Sequence, residues 1–292
     1  MPIKLLLLSS TITLSLLASP TTCTNVYYGN DAPDIINTKL TKDTKELCYK
    51  EFAVMHSGVS KTPLWSAEHL TRNMLNGKAD RSNDFHAEER LSHNERAELN
   101  DYAHSGYDRG HMSPSADFID AQSNQECFTL ANMVPQNHNN NAGLWSHIEG
   151  STRYLTKKVG ETYIITGPIF SGGNLQRIGG RVLVPTSLFN AIYVPSTGQG
   201  GAYVTPNAAG DDYSVISIAQ LEQLIGINLF PKMNASAKQH AMELPSPKGN
   251  SRLVPLGQGA STTSTTTAPA TQSGNGFIDK LERKIHNFNK GY

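Results

Sequence analysis

The sequence places an arginine and a histidine one glycine apart, in the run SGYDRGHMSP at residues 105–114. In an extended strand the side chains alternate between two faces, so Arg109 and His111 share one face and Asp108 lies on the other. A guanidinium can hold phosphate oxygens, and a neutral imidazole can take a proton from water near pH 7 because its unperturbed pKa is about 6.5. Gly110 leaves room for a ligand or a second backbone. The pair therefore predicts chemistry on a phosphodiester.

A second group of polar residues lies downstream, in LANMVPQNHNNNAGLWSHIEGSTR. Helical periodicity begins at about Asn141, and on a helical wheel Asn141, Glu149 and Arg153 fall within about 120 degrees of one another. A hard divalent ion such as Mg²⁺ keeps several waters, so one carboxamide oxygen can suffice to hold it. Taken alone, Asn141 is equally well explained as a helix N-cap, and Glu149 with Arg153 as a solvated ion pair. The Asp-Arg-Gly-His run upstream favours the metal site.

Several segments must position these residues. Runs of β-branched and aromatic residues predict strands over 161–170, 181–195 and 200–206, and a short strand over 130–134 that Pro135 ends. Apolar residues at helical spacing predict a helix over 213–231 that stops at Pro231. Because helices and strands do not alternate strictly, the fold class is α+β.

The segments YDRGHMSPSADF and LANMVPQNHNNNAGLWSHIEGSTR resemble the DNA/RNA non-specific endonuclease family, the ββα-metal nucleases. The likeness extends from about Cys48 to Leu256, where KTPLWSAEHLTR, ADRSNDFHAEERL and YIITGPIF resemble the flanking segments of the family in order. The resemblance implies a central antiparallel sheet flanked by helices. It also implies an endonuclease that cleaves internal phosphodiester bonds of DNA and RNA with Mg²⁺, or with Mn²⁺ as the alternative ion.

The resemblance also implies roles for single residues. His111 matches the general base, Asn141 the direct Mg²⁺ ligand and Glu149 the residue that holds water on the metal. Arg81, Arg109 and Arg153 match the substrate-binding positions, which contact phosphate in the family. Asp108 and Asn132 match positions that support the site. Asn190 departs from the family, whose members commonly carry lysine there, and this puts one contact or packing detail in doubt.

Two other functions stay open on the sequence alone. His104, His111 and Asp108 could hold zinc for a smaller phosphoester, although the histidines lack the i,i+4 spacing of a helical zinc site. The chain could also be a non-enzymatic secreted binding protein that acts through its C-terminal tail. With 25 basic and 25 acidic residues there is no strongly basic sheath, so nucleic acid would bind at a local patch, which Lys157 and Lys158 could extend.

Composition divides the chain into four segments. Residues 1–22 carry one positive charge before a short apolar run, which predicts a signal peptide and a secreted or periplasmic protein with no stable membrane span. Residues 23–256 form the nuclease domain. Residues 257–276 are a low-complexity linker, and residues 277–292 form an amphipathic tail that docks on its own domain or binds a partner or membrane surface.

The chain has three cysteines. In an oxidising compartment this number predicts one disulfide and one free thiol. A bridge between Cys23 and Cys48 would attach the mature N-terminus to the first structured segment, and Cys127 lies in an apolar stretch that predicts a buried small hydrophobic residue.

Overall fold

The computed structural model describes residues 21–77 and 79–257. Nearly all of the predicted signal peptide, all but the first residue of the predicted linker, and the whole predicted tail lie outside the described residues. Within the described ranges, no helix combines the length and the apolar character that crossing a membrane requires.

The strands of the described residues are β1 (Asp34–Ile35), β2 (Thr44–Cys48), β3 (Phe52–Ser57), β4 (Thr62–Thr71), β5 (Asp108–His111), β6 (Met133–Gln136), β7 (Glu161–Ile169), β8 (Arg177–Ile178), β9 (Val182–Leu183), β10 (Ser187–Val194), β11 (Gln199–Pro206), β12 (Asp212–Ile216), β13 (Ile227–Asn228) and β14 (Arg252–Leu253). The α-helices are α1 (Leu99–Tyr102), α2 (Ala121–Glu126), α3 (His138–Asn140), α4 (Ser146–Val159), α5 (Ile218–Ile225) and α6 (Ala235–Lys238). A π-helical turn, Asn141–Trp145, joins α3 to α4.

Eight strands form the central sheet, in the order β14-β12-β11-β10-β7-β4-β3-β2. Every neighbouring pair is antiparallel except β12 with β14. Strands β5 and β6 form a separate antiparallel ribbon. The predicted α+β class with a central antiparallel sheet flanked by helices is confirmed.

The central sheet buries a core on each of its two faces because side chains alternate along every strand. On β10, Phe189 and Ala191 pack into a core with the N-terminal segment and α5, whereas Leu188 and Ile192 pack into a core with α4. We call these two sides the α5 face and the α4 face.

The predicted strands over 161–170 and 200–206 correspond to β7 and β11. The prediction over 181–195 is interrupted, because β9 ends before Pro185 and β10 begins after it. The short strand also differs: it is β6, and it contains Pro135 instead of ending there. Pro135 pairs with Arg109 in a ribbon of only two strands, where a missing N–H can face outward.

The helix predicted within 213–231 is shorter than that segment, because the sequence carries its own start and stop signals. The side chain of Ser217 accepts a hydrogen bond from the Gln220 N–H and forms a capping box, so the chain before it remains the strand β12. Gly226 ends α5 with φ of 71°, in the left-handed region that favours glycine. Residues 213–231 are thus a strand, a helix of eight residues and the short strand β13.

The predicted disulfide is confirmed, since Cys23 and Cys48 are bonded. Cys127 is a buried free cysteine, as predicted. The bridge joins the N-terminal segment to the end of β2, beside the core of the α5 face.

Candidate active site

The Asp-Arg-Gly-His run forms β5, which pairs with β6 so that Gly110 lies opposite Val134. A side chain at Gly110 would collide with Gln136, so the close approach predicted at this glycine is to a neighbouring side chain. Arg109 and His111 both contact the ring of Phe85: the guanidinium carbon lies 4.2 Å from its centroid, and the imidazole centroid lies 5.7 Å from it. The two side chains therefore share one face, as predicted.

His111 is buried, with 7% of its surface exposed, and packs edge-on against Phe128 with ring centroids 4.8 Å apart. Its Nε2 has no hydrogen-bond partner among the described residues. Burial, and then the nearby positive charge of Arg81, lower the pKa of His111 to about 3. The imidazole is therefore neutral near pH 7, and its Nε2 is free to accept a proton.

Asn141 does not cap the helix. That role belongs to Asn137, whose side-chain oxygen accepts hydrogen bonds from the N–H groups of residues 139 and 140. Asn141 instead donates from Nδ2 to Asp108 Oδ2 at 2.9 Å, and His138 Nδ1 lies 2.9 Å from the same oxygen. Asp108 thus ties the π-helical turn to β5, which fits the supporting role predicted for it. The Oδ1 of Asn141 accepts no hydrogen bond from the described residues and stays available as a ligand.

Glu149 and Arg153 are not a solvated pair. Arg153 donates to Asp117 Oδ1 at 2.8 Å, and Asp117 is only 4% exposed. Glu68, which is 2% exposed, reaches this cluster from β4, and burial raises the pKa of both Glu68 and Asp117. Burial also raises the pKa of Glu149 to about 7, against the opposing effect of Arg153. One buried guanidinium therefore neutralises part of a three-carboxyl cluster.

Arg81 connects His111 with this carboxyl cluster. Its Nη1 donates to Ser115 Oγ at 2.5 Å, and its guanidinium lies 4.9 Å from the centroid of the Phe128 ring. Its charge lowers the pKa of His111 and also that of Glu149. Arg81 and His111 both contact the ring of Phe128, so the structure places these two predicted site residues beside each other.

Asn132 is fully buried, and it holds the chain just after β5. Its Oδ1 accepts from the N–H of Ser113 at 3.0 Å, and its Nδ2 donates to the carbonyl oxygens of Ser113 and Cys127, both at 2.9 Å. It thereby fixes the backbone two residues after His111, which agrees with a supporting role.

Asn190 is a packing residue on the α4 face. Its Oδ1 accepts from Thr152 of α4 at 3.0 Å, and its Nδ2 donates to Thr166 of β7 at 2.9 Å. It is 4% exposed. The departure from the family pattern therefore lies in a satisfied contact between the helix and the sheet.

Glu68 and Asp117 are site residues that the sequence analysis did not single out. Alternation along β4 offers a signal, because Ser66 and Glu68 fall on the face opposite Trp65 and Ala67, inside a strand that is buried over most of its length. A charged residue at an inward position of a central strand needs a partner. The sequence does not reveal the partner, since Asp117 is distant along the chain.

The structure does not bring together the residues of the zinc alternative. Among the described residues, the ligand atoms of three His, Cys, Asp or Glu side chains lie within 4.8 Å of one another at one place, formed by Cys23, Glu46 and Cys48, and its two sulfurs form the disulfide. His104 is exposed whereas His111 is buried, and they form no such group with Asp108.

The oxygens that are present fit a hard divalent ion better than zinc. Asn141 offers a neutral carboxamide oxygen, and Glu149 offers a carboxylate that a nearby cation would help to ionise. A set this small fits an ion that keeps several waters, as Mg²⁺ does.

Comparison with known proteins identifies relatives of this chain. A family model described as DNA/RNA non-specific endonuclease matches residues 31–236. The mitochondrial nuclease EXOG of Xenopus laevis is 32% identical over 208 residues, which are 64% of this chain and 58% of that protein. The mitochondrial nuclease of Saccharomyces cerevisiae is 32% identical over 219 residues, 65% of this chain and 67% of that protein.

Among solved structures, that of an EndoG/EndoGI complex, which concerns the inhibition of EndoG, superimposes with a TM-score of 0.61 and 26% identity. The match covers 66% of this chain and 88% of that chain. In this chain β5 pairs with β6, and α4 comes after them, beyond α3 and the π-helical turn; with the likeness to the EndoG structure, the predicted ββα-metal nuclease fold is confirmed.

The same comparisons correct one prediction. Location outside the cell or in the periplasm is contradicted, because the names of several relatives place them in mitochondria. The chain spans about three fifths of the length of the EXOG relatives that it matches.

Proposed function

The chain belongs to the DNA/RNA non-specific endonuclease family, and we propose that it hydrolyses internal phosphodiester bonds of both DNA and RNA with the help of a divalent metal ion, Mg²⁺ in the first place. The observation that carries the proposal is the neutral, buried imidazole of His111, whose Nε2 is unpaired, beside the guanidinium of Arg81. The proposed base, His111, therefore lies beside a guanidinium, that of Arg81, which could bind phosphate. The names of the relatives support a mitochondrial location.

His111 is the general base of this reaction. It accepts a proton from a water molecule, the oxygen of that water forms a bond to phosphorus, and the bond from phosphorus to the 3′ oxygen breaks. The 3′ oxygen takes a proton from solvent, which leaves a 5′-phosphate and a 3′-hydroxyl. Because burial and the charge of Arg81 lower the pKa of His111, the imidazole is unprotonated over the whole neutral range and can accept a proton.

Asn141 and Glu149 would hold the metal ion, the first through Oδ1. When bound there, the ion would stabilise negative charge on the phosphate and on the departing oxygen. Asp108 orients the carboxamide of Asn141 by accepting from its Nδ2 at 2.9 Å.

Arg81 and Arg109 are both exposed and would neutralise the phosphate, while Arg153 is held in an ion pair with Asp117. Contacts of this kind position a strand without reading its bases. This accounts for the lack of preference between DNA and RNA that we propose.

Digestion of plasmid DNA and of a long RNA, with Mg²⁺ and with chelator, tests the proposal. We expect both to be cut with Mg²⁺ and neither to be cut in chelator. Asn141→Ala should raise the Mg²⁺ concentration needed for half-maximal rate, whereas Asn139→Ala, at an exposed neighbour, should leave it unchanged. Full activity in chelator would refute the metal role, and the absence of cleavage with every divalent ion would refute the nuclease.

A binding function of residues 277–292 is the second candidate from the sequence, and it stays a prediction because those residues lie outside the described ones. Removal of residues 258–292 separates the two functions. A nuclease keeps cutting without the tail, whereas a protein that acts through the tail loses its function.

A further inference from the structure

Helix α4 carries an exposed basic surface beyond the residues of the candidate active site. Lys157 and Lys158 in its last turn are exposed, and so is Arg72, which packs against the end of the helix. Tyr154 lies among them with 61% of its surface exposed. We call these four residues the α4 basic surface.

Lysines near a helix C-terminus commonly serve only to balance the helix dipole. Here that function is already filled by Arg72, whose Nε donates to the carbonyl of Lys157 at 2.7 Å and whose Nη2 donates to that of Lys158 at 3.2 Å. The N–H of Gly160 caps the carbonyl of Thr156 as well. The last carbonyls of α4 are therefore occupied, and the two ammonium groups are not needed there.

The acidic residues on adjoining elements have other partners. Glu161 at the start of β7 is hydrogen-bonded to His69 at 2.7 Å, and Asp117 pairs with Arg153. No ion pair within residues 21–77 and 79–257 uses Lys157 or Lys158. The α4 basic surface thus presents two exposed ammonium groups that no carboxylate contacts among the described residues.

The geometry of the helix aligns this charge with the candidate active site. Glu149, Arg153 and Lys157 are spaced four residues apart, so they form one line along α4 with steps of about 6 Å. That step is comparable to the separation of neighbouring phosphates along a nucleic-acid strand. Tyr154 and Lys158 form a second line of the same spacing beside the first.

We propose that the α4 basic surface binds the nucleic-acid strand that flanks the scissile bond, with phosphates on Lys157 and Lys158 and a base stacked on Tyr154. This inference rests on the proposed nuclease function and adds to it a substrate that extends over several nucleotides. Lysine contacts to phosphate are independent of sequence and sensitive to salt, and stacking on an aromatic ring tolerates any base. The surface would therefore favour long polynucleotides without favouring a sequence.

The test compares a long substrate with a short one. The double variant Lys157→Ala/Lys158→Ala is assayed on plasmid DNA and on thymidine 5′-p-nitrophenyl phosphate, which is too short to reach the last turn of α4. We expect the ratio of kcat/KM for the long over the short substrate to fall about tenfold, and the salt dependence of binding to weaken by one to two phosphate contacts. Tyr154→Ala should lower the same ratio, and Tyr154→Phe, which keeps a ring for stacking, should restore it.

The control is Lys42→Ala/Lys232→Ala, which removes two exposed lysines on the side of the α5 face; Lys232 also loses its ion pair with Asp31. Lys42 lies two residues after Leu40, and Lys232 directly precedes Met233; Leu40 and Met233 pack into the core of that face. The control should keep the parent ratio. An equal fall in the control would overturn the inference, because a general charge effect would then explain the loss.

Binding of a fluorescent oligonucleotide in chelator keeps the inference testable whatever the catalytic result. If the parent cleaves neither substrate, the proposed function fails, while weaker binding by Lys157→Ala/Lys158→Ala still supports the surface. If both lysine variants bind as the parent does and with the same salt dependence, the surface is only a solvated helix end and the inference is wrong.

Discussion

The two faces of the central sheet share the same strands but bury different chemistry. The core of the α5 face is apolar and includes Trp65, Phe189 and Phe230. The α4 face adds polar groups to its apolar core, among them Glu68 and Asn190. Neighbouring residues of one strand therefore serve two purposes, and alternation keeps them apart.

The difference separates stability from catalysis. Burial of apolar surface stabilises the fold by about 25 cal/mol for each Å², without regard to orientation. Buried polar groups cost free energy unless they are paired. When they are paired, their hydrogen bonds fix the orientation of the side chains, because such bonds are directional. On the α4 face Arg153 is fixed by Asp117 in this way. The α5 face, reinforced by the disulfide, supplies the stability that an incompletely paired face lacks.

The largest expected effect is on catalysis, at the α4 face. His111→Asn removes the proposed base and should lower kcat on plasmid DNA by about a thousandfold, while the affinity for an oligonucleotide in chelator is kept. His93→Asn, at an exposed position, is the control and should keep full activity. Near-normal turnover of His111→Asn would show that the imidazole is not the base.

The opposite result is expected at the α5 face. Leu221→Ala empties a fully buried position in that core and should lower the free energy of unfolding by about 4 kcal/mol, measured by urea denaturation. The kcat of the folded fraction should not change. Leu224→Ala, at a partly buried position of the same helix, should cost less. A loss of kcat in Leu221→Ala without unfolding would contradict the separation of the two faces.

The sequence predicts the residues of the site better than the way they are held. The run at 108–111 can be recognised from sequence, because the alternation of side chains along a strand is enough to predict that Arg109 and His111 share one face. The sequence also singles out Asn141 as a candidate ligand, but it does not show which asparagine caps the helix. A run of asparagines offers several equivalent caps, and the choice of Asn137 depends on where the chain leaves β6.

The carboxyl cluster could not be predicted, since it depends on contacts between distant segments. Glu68, Asp117 and Arg153 come from β4, from the segment after β5 and from α4, and no local rule brings them together. The pairing of Glu149 with Arg153 was the local expectation, and it fails because Asp117 competes for the same guanidinium.

A smaller effect on stability is expected from the disulfide. Cys23→Ser/Cys48→Ser should lower the free energy of unfolding by about 3 kcal/mol, because the bridge restricts the unfolded chain over a sequence separation of 25 residues. Cys127→Ser, at the free cysteine, keeps the bridge and should respond to reducing agent as the parent does, whereas Cys23→Ser/Cys48→Ser should not respond. The parent should show a lower melting temperature on reduction, with kcat unchanged. An unchanged melting temperature on reduction would show that the bridge does not stabilise the α5 face.

The smallest effect is the pH dependence of stability that two groups of the α4 face, His111 and Glu149, should contribute in chelator. His111 has a folded pKa of about 3, below its usual 6.5, so its contribution to stability is present above pH 6.5 and is lost as the pH falls, by about 2 kcal/mol at pH 5. Glu149 has a folded pKa of about 7, above its usual 4.5, so its contribution is present below pH 4.5 and is lost as the pH rises through 7.

The two groups oppose each other, so their variants should change the pH profile of unfolding in opposite directions. Between about pH 7.5 and pH 5, His111→Asn should lose about 2 kcal/mol less than the parent, and Glu149→Gln should lose about 2 kcal/mol more. Leu221→Ala should be less stable than the parent by a constant amount, because it removes no titrating group. Urea denaturation at the two pH values measures all three. If the profiles of His111→Asn and Glu149→Gln ran parallel to that of the parent, neither group would be buried as the α4 face requires.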